Sequence, residues 1–465
     1  MSTTAIAWLF FYLRNATKGL WRPSFLVCAY LMTFYTGPNW WWWGREGIFA
    51  SVGRWNFYTA ILLATGVVLS ASQAKRLQKS DLFFILLLLA YVLNCTLVHF
   101  LLADYPAISF VEWDILWKNV LTAVLFRLAI RDLEDLHWVI GTSVACCCYV
   151  GYEIVFNGAG KSIHGRLEGL GFPGGVASNG CATVMSMMFP FLAYLVICKP
   201  FKYARVLGLV SAPLILDSIL RFNSRGSFLG IAVAGCTLLL MARGKSRLYA
   251  IYSVIIGIMA FFYQAQDPKI WERLFSIGST AEERDESASQ RIDSWSAGLQ
   301  MIRDYPLGSG GRSCFISPRG DEYISFLGYN EYRSVHNGFI SIAAGWGVQG
   351  FLLITIAFGI AMMRTWSSIG YFQRRGDEKL AFLGAAIIGA FFGQCTCAMF
   401  GDYYDGEWFF WLAIYGLVYA TFEQSQRQLD YEQALLDEEE GQWMDSEELD
   451  SFEDTQVQER EEVFR

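Results

Sequence analysis

Apolar runs close to the length of a bilayer crossing constrain this chain more than any other feature. Leu82–Leu102 and Gly338–Met363 are two of them. About twenty apolar residues in helical form cross a hydrocarbon core of about 30 Å. Inside lipid the backbone must satisfy its own hydrogen bonds, so runs of this kind are helices. Only 17% of the residues are charged and 54% are hydrophobic, a balance that a soluble domain of 465 residues does not carry. The chain therefore reads as an all-α, polytopic membrane protein surrounded by membrane lipids, and no nucleic-acid partner is expected.

Segments of this kind have cores near 23–38, 56–73, 81–103, 113–130, 136–156, 180–198, 203–220, 226–242, 247–264, 338–363, 379–399 and 407–422. About twelve transmembrane helices are thus expected, with a large polar loop between the ninth and tenth. Residues 5–13 are too short to cross, are followed by Arg14 and Lys18, and are expected to lie along the interface. Connecting charges orient the bundle. One set of short loops carries Lys75, Arg76 and Lys79, then Arg127 and Arg131, Lys199 and Lys202, Arg243 and Lys245, and Arg374 and Arg375. The alternate set, which includes 104–114 and 401–406, is acidic and holds no cation there. The positive-inside rule places the first set and both termini in the cytoplasm, and the polar stretches 157–180 and 266–335 outside. Trp40–Trp43 falls at the outer interface, where indole rings favour the headgroup region.

Four regions follow: an N-terminal transmembrane bundle over 1–265, an outer loop with an amphipathic helix over 266–335, C-terminal transmembrane helices over 336–422, and a tail over 423–465. The tail holds 16 acidic and 3 basic residues, a net of −13 within a chain of −7, which leaves the membrane body at +6. Many like charges and few apolar side chains predict a solvated, disordered cytoplasmic tail.

Few side chains in this chain can carry chemistry. Most of the eleven cysteines sit in apolar runs, as in Cys146–Cys148, and read as small residues packed between helices. No Cys/His grouping has zinc spacing, and neither a phosphate-binding glycine loop nor a dinucleotide fingerprint is present. The cluster Asp402, Asp405 and Glu407 reads as a solvated loop rather than a cation site, and His99, His137 and His164 read as structural. No metal or cofactor is expected. The cations on the outer side are nearly all arginine: Arg166, Arg221, Arg225, Arg291, Arg312, Arg319 and Arg333. Arginine offers a planar donor fork suited to phosphate or carboxylate oxygens. Arg312, Arg319 and Arg333 share their loop with Asp321, Glu322 and Glu331 and are expected to pair with them. Asp217 lies one turn before Arg221, a pair that marks either a polar cavity or a structural contact.

The stretch 290–353 concentrates the remaining signals. Ile292, Trp295, Leu299 and Ile302 are spaced as the apolar face of a helix, with Arg291 one turn before Trp295. Pro306 and Gly308, Gly310 and Gly311 end that helix in a turn. His336 and Asn337 then precede a long apolar run. Four passages together resemble the O-antigen ligase family, which includes O-antigen polymerases and related oligosaccharide transferases. They are Arg166-Leu-Glu-Gly169 with Asn179 and Ala182; Asn223-Ser-Arg225-Gly226; Arg291-Ile-Asp-Ser-Trp295 with Asp304-Tyr-Pro306-Leu-Gly308-Ser-Gly310; and His336-Asn337 before Gly345-Trp-Gly347-Val-Gln-Gly350. The likeness covers about residues 140–400, and the glycine-rich stretch Gly169–Gly175 departs from it.

The resemblance implies a membrane fold of the glycosyltransferase C type in a bacterial inner membrane. It implies a reaction that moves a glycan from a polyprenyl-diphosphate carrier to a hydroxyl of a lipid or glycan acceptor, without metal. Arg225 and Arg291, with Arg166 third, would clamp the diphosphate as charge grows on it. His336 would be the base that takes the acceptor proton; read without the resemblance it is a histidine at a helix start. Arg221 and Asp217 would line the substrate cavity, and Asn337 would orient or cap. A repeat-unit polymerase is the nearest alternative, and a transporter or flippase a more distant one, since no inverted repeat or matched pair of broken helices is visible.

Overall fold

Helix boundaries in this protein follow local chemistry closely. The computed structural model describes residues 2–73, 77–163, 165–170, 177–266, 268, 271, 286–311, 318–324 and 334–463. Lys75, Arg76, His164, Gly171–Gly175, Arg312, Glu331 and Arg333, all used above, lie outside the described residues. The chain divides into two units, Met1–Tyr419 and Ala420–Arg465.

In the first unit α1 (Thr3–Gly19) starts where Ser2 Oγ accepts from Ala5 N at 3.1 Å. It is followed by α2 (Ser24–Tyr35), α3 (Ile48–Val52), α4 (Trp55–Leu69), α5 (Lys79–Leu102), α6 (Pro106–Ala129) and α7 (Leu133–Phe156). Proline at the first turn of α6 and the Asp132 side chain at the start of α7 mark those beginnings. Ion pairs tie this part together, and the one between Arg127 and Asp81 is buried. Arg127 on α6 donates through Nε (2.9 Å) and Nη2 (2.5 Å) to Asp81 on α5, and Arg22 reaches Asp132, Glu134 and Asp135. A fork-to-carboxylate bond is the geometry in which two buried charges satisfy one another.

A two-stranded antiparallel hairpin comes next, β1 (Lys161–Ile163) against β2 (Arg166–Glu168), with Ile163 opposite Arg166. Then follow α8 (Ser178–Ser186), α9 (Met188–Cys198), α10 (Ala204–Phe222), α11 (Arg225–Met241), α12 (Gly244–Gln264), α13 (Glu286–Asp304), α14 (Pro318–Ile324), α15 (Gly338–Arg375), α16 (Glu378–Ala398) and α17 (Glu407–Val463). Among the described residues α11 and α16 pack against each other more extensively than any other two helices. Gly226, Gly230 and Ala234 form a stripe on α11, and Gly389, Gly393 and Cys397 form one on α16. A Cβ on Gly230 would fall 2.8 Å from Gly393 O, and one on Gly393 would fall 2.7 Å from Gly230 O. Small residues at every fourth position let membrane helices approach this closely.

The expectation of about twelve spanning helices is not met. Among the described residues six helices are long and apolar enough to cross a membrane: α5, α7, α8 with α9 as Ser178–Cys198, α12, α15 and α16. The reason is the difference between an apolar run and the helix it makes. At 1.5 Å per residue, α2, α4 and α11, of 12, 15 and 17 residues, reach only about 18, 22 and 25 Å. α6 carries Glu112, Asp114, Lys118 and Arg127, and α10 carries Arg205, Asp217, Arg221 and an internal Pro213. The placement of the polar loop between a ninth and a tenth span falls with that count; it lies between α12 and α15. The fold remains all-α apart from the hairpin, and its long apolar helices are those of a polytopic membrane protein.

In the second unit the helix that begins as α17 continues through the acidic segment to Val463. Side-chain pairs one turn apart, Gln428 with Glu432 and Gln433 with Asp437, line it at 2.9 and 2.8 Å.

Candidate functional site

Arg166, Arg225 and Arg291 come from three distant parts of the chain and line one small cavity, with Asn179, Thr183, Ser224 and Tyr403 among its other walls. Local structure sets each guanidinium there. Asn223 ends α10 in the left-handed region at φ 50°, which asparagine enters more readily than most residues. α11 therefore starts at once, with Ser224 as its N-cap and Arg225 as its first residue. A cation at the positive end of a helix is disfavoured on its own, but both attract the same anion.

α8 contributes Asn179 from its first turn. Glu168 accepts from Ser178 N at 2.8 Å and from Ser178 Oγ at 2.7 Å, which fastens β2 to the start of α8. Arg166 lies two residues earlier on that strand. Arg291 sits on α13, where Trp295 packs 6.4 Å from the Phe400 ring, and Ala297 and Met301 pack with Ile324, Val335 and Ala344.

The glycine turn after α13 has a structural task. Ser309 N donates to Ala344 O and Gly345 O, both at 3.1 Å, Gly310 N donates to Gly345 O at 2.9 Å, and Val348 N donates to Pro306 O at 2.9 Å. These bonds meet α15 where Gly347, at φ 82° and ψ 163°, breaks its helical path. Gly308, itself at φ 97°, approaches so closely that a Cβ would fall 2.6 Å from Gly345 O. The glycines therefore dock α13 onto the kink in α15 and thereby place Arg291.

His336 is exposed, adopts a positive φ of 54°, and has its Nδ1 3.2 Å from Ser334 Oγ. It does not line the arginine cavity, but its segment is fastened to the cavity wall. Asn337 Oδ1 caps α15 by accepting from Phe339 N (3.1 Å) and Ile340 N (3.2 Å), and Asn337 N donates to Asp402 Oδ1 at 3.2 Å. A Cβ on Gly338 would fall 3.0 Å from the backbone N of Tyr403, which itself lines the cavity. The neighbouring Tyr404 donates to Thr355 Oγ1 at 3.3 Å, and burial pushes its phenol up from the ordinary value. A positive φ at a non-glycine residue is a local strain that the surrounding contacts must hold.

Asp217 and Arg221 stand apart from this cavity. They form a pair one turn apart at 2.6 Å near the end of α10, with side chains 31% and 49% exposed. Thr183, Cys397, Phe400 and Tyr403 line the cavity without having been singled out in the sequence. Thr183 lies one turn beyond Asn179, and Phe400 and Tyr403 flank the acidic positions that drew attention to their loop. Among the described residues no group of three or more His, Cys, Asp or Glu side chains is arranged to hold a metal ion, and no disulfide links the described cysteines.

α11 also borders an apolar groove shared with α9, α10 and α12, lined by residues such as Leu216, Phe228, Ile231 and Phe261. Phe228 is three residues from Arg225, so groove and arginine cavity adjoin along one helix.

Residues 3–171 match the model of a family of unknown function, and that stretch contains Arg166. No curated protein matches the chain. Residues 210–355, which contain Arg225, Arg291, His336 and Asn337, match the family model described as O-antigen ligase.

Proposed function

We propose that the protein transfers a glycan from a polyprenyl-diphosphate carrier to an acceptor hydroxyl at the outer face of a bacterial inner membrane. The observation that carries this reading is the meeting of Arg166, Arg225 and Arg291 in one cavity. Three guanidinium groups and the start of α11 form a site for a strongly anionic group. The apolar groove along α11 suits an isoprenoid chain attached to that group.

In the reaction the acceptor oxygen forms a bond to the anomeric carbon, and the bond from that carbon to the diphosphate oxygen breaks. The electron pair leaves on the diphosphate, whose growing charge the arginines stabilise in place of a divalent ion. The acceptor proton passes to His336, through the ring nitrogen that does not face Ser334. Asn337 and Asp402 act as positioning residues for His336 by fixing the start of α15. Asp217 and Arg221 are left outside the chemistry.

Purified protein in lipid, given a polyprenyl-diphosphate oligosaccharide and acceptor, is expected to transfer the glycan, and Arg291→Ala and His336→Ala to lose nearly all of that rate while remaining folded. An unchanged rate in Arg291→Ala would overturn the clamp, and an unchanged rate in His336→Ala would overturn the base. Product length separates single ligation from polymerisation.

A further inference from the structure

A second polar cavity lies in the stretch that matches the family of unknown function. It is an open cleft, and its walls include Trp40, Trp42, Arg45, Glu153, Asn157 and Gly169. Four consecutive tryptophans build one side by alternating. Trp41 and Trp43 are 4% and 7% exposed, whereas Trp40 and Trp42 are 63% and 55% exposed. The buried pair are anchors: Trp41 stands edge-on to Tyr149 at 5.6 Å, and Trp43 Nε1 donates to Tyr149 Oη at 2.5 Å. Two short 3₁₀ turns, Pro38–Trp40 and Trp42–Gly44, carry the exposed pair.

The orientation of Trp42 separates this arrangement from a simple interface anchor. Its Nε1 donates inward, at 3.1 Å, to Glu153, a wholly buried carboxylate on α7. Glu153 also accepts from Tyr149 Oη at 2.5 Å and from Asn157 Nδ2 at 2.9 Å. One buried acid thus fixes an indole ring and an amide at the same cavity. A tryptophan that only marks the headgroup region presents its N–H to the polar side; here the N–H is turned in and the ring stays exposed. Ring faces carry negative charge density that attracts the C–H face of a pyranose, and the guanidinium, amide and backbone groups around them match its hydroxyls.

We infer that Trp40, Trp42, Arg45 and Asn157 form a saccharide-binding shelf that holds sugar residues next to the reacting centre. β2 joins the two sites: Arg166 lines the arginine cavity, and Gly169, three residues on, lines this one. Three residues separate their Cα atoms by at most roughly 11 Å. The shelf therefore lies within reach of a glycan whose diphosphate or acceptor end sits at the arginines, a step that rests on the transfer reading above.

Two free oligosaccharides serve as probes for full-length protein in lipid nanodiscs: the glycan released by mild acid from the host's polyprenyl-linked pool, and the delipidated glycan of the acceptor. Saturation-transfer NMR and intrinsic fluorescence are expected to show binding of at least one. Trp42→Ala should weaken that binding about tenfold, and Trp42→Phe, which keeps a ring face, much less. Binding confined to the first probe assigns the shelf to the donor; binding confined to the second assigns it to the acceptor. Arg291→Ala should bind the free oligosaccharide as the unchanged protein does, so a failure of the transfer chemistry is distinguishable from a failure of the shelf. Absence of binding by both probes, or binding indifferent to Trp40→Ala and Trp42→Ala in folded protein, would overturn the proposal.

Discussion

The arginine cavity and the tryptophan shelf flank one short strand, yet they are assembled in opposite ways. The first gathers charges from positions 166, 225 and 291, each delivered by a different element. The second is drawn from 40–45 and 153–170 and uses rings, an amide and a single peripheral guanidinium. An anion site in a membrane protein must use formal charge, which the bilayer excludes elsewhere, so its residues stand out in the sequence. A sugar site uses neutral groups that are ordinary at a membrane interface. Its residues stand out only once the inward turn of the Trp42 N–H toward Glu153 is visible.

The comparison breaks first at the reacting centre. His336→Ala is expected to lower kcat for transfer by about 10²–10⁴-fold, and Arg225→Ala or Arg291→Ala by about 10²–10³-fold each, all with saccharide binding at the shelf retained. Steady-state transfer kinetics beside the binding assay test this. Arg291→Lys keeps the charge but loses the planar fork and is expected to recover little of the lost rate. Full recovery would mean that the cavity reads charge alone.

Arg166, Arg225 and Arg291 were picked out before the structure because the passages that hold them resemble the O-antigen ligase family, and the structure places all three on one cavity. The number of membrane crossings was not legible in that way. Apolar runs near 23–38 and 226–242 look alike in composition to the helices long enough to cross, and only helix length separates them: α2 stops at Tyr35 and α11 spans Arg225–Met241. The task of the glycine turn was equally hidden. Gly308 looks like punctuation in the sequence, but its partner is the carbonyl of Gly345, which belongs to another helix. Tyr403 escaped notice for the same reason, since its place in the cavity depends on Gly338 packing beneath its loop.

Both sites depend on the frame beneath them to different degrees, which a smaller perturbation can sharpen. Gly230 on α11 faces Gly393 on α16 at a distance that leaves no space for a side chain. Gly230→Val is expected to destabilise the protein by about 1–3 kcal/mol through overpacking and to displace Arg225 at the head of the same helix. Thermal unfolding in detergent should show the lower midpoint, and transfer should fall more than shelf binding, because the shelf rests on α7 and the hairpin. An equal fall in both would make the two sites one cooperative structure. Glu153→Gln acts on the other side of the comparison. It keeps hydrogen-bonding capacity beneath Trp42 and Asn157 but removes the charge that strengthens those bonds, so a loss of a few-fold in saccharide binding is expected with kcat held.

The smallest effect is expected at Asp217. Its pair with Arg221 is a one-turn contact between partly exposed side chains outside both cavities. Pairs of this kind contribute about 0.3–0.5 kcal/mol, so Asp217→Asn should leave transfer within about twofold and the unfolding midpoint nearly unchanged. The sequence offered this pair as a possible polar cavity in the membrane, and such a cavity demands more. Removing one partner of an enclosed ion pair strands the other charge and costs about 3–5 kcal/mol. A large loss on Asp217→Asn would therefore mean that the end of α10 becomes enclosed when substrate binds, and would bring Arg221 into the same charge-gathering site as Arg225, four residues further on.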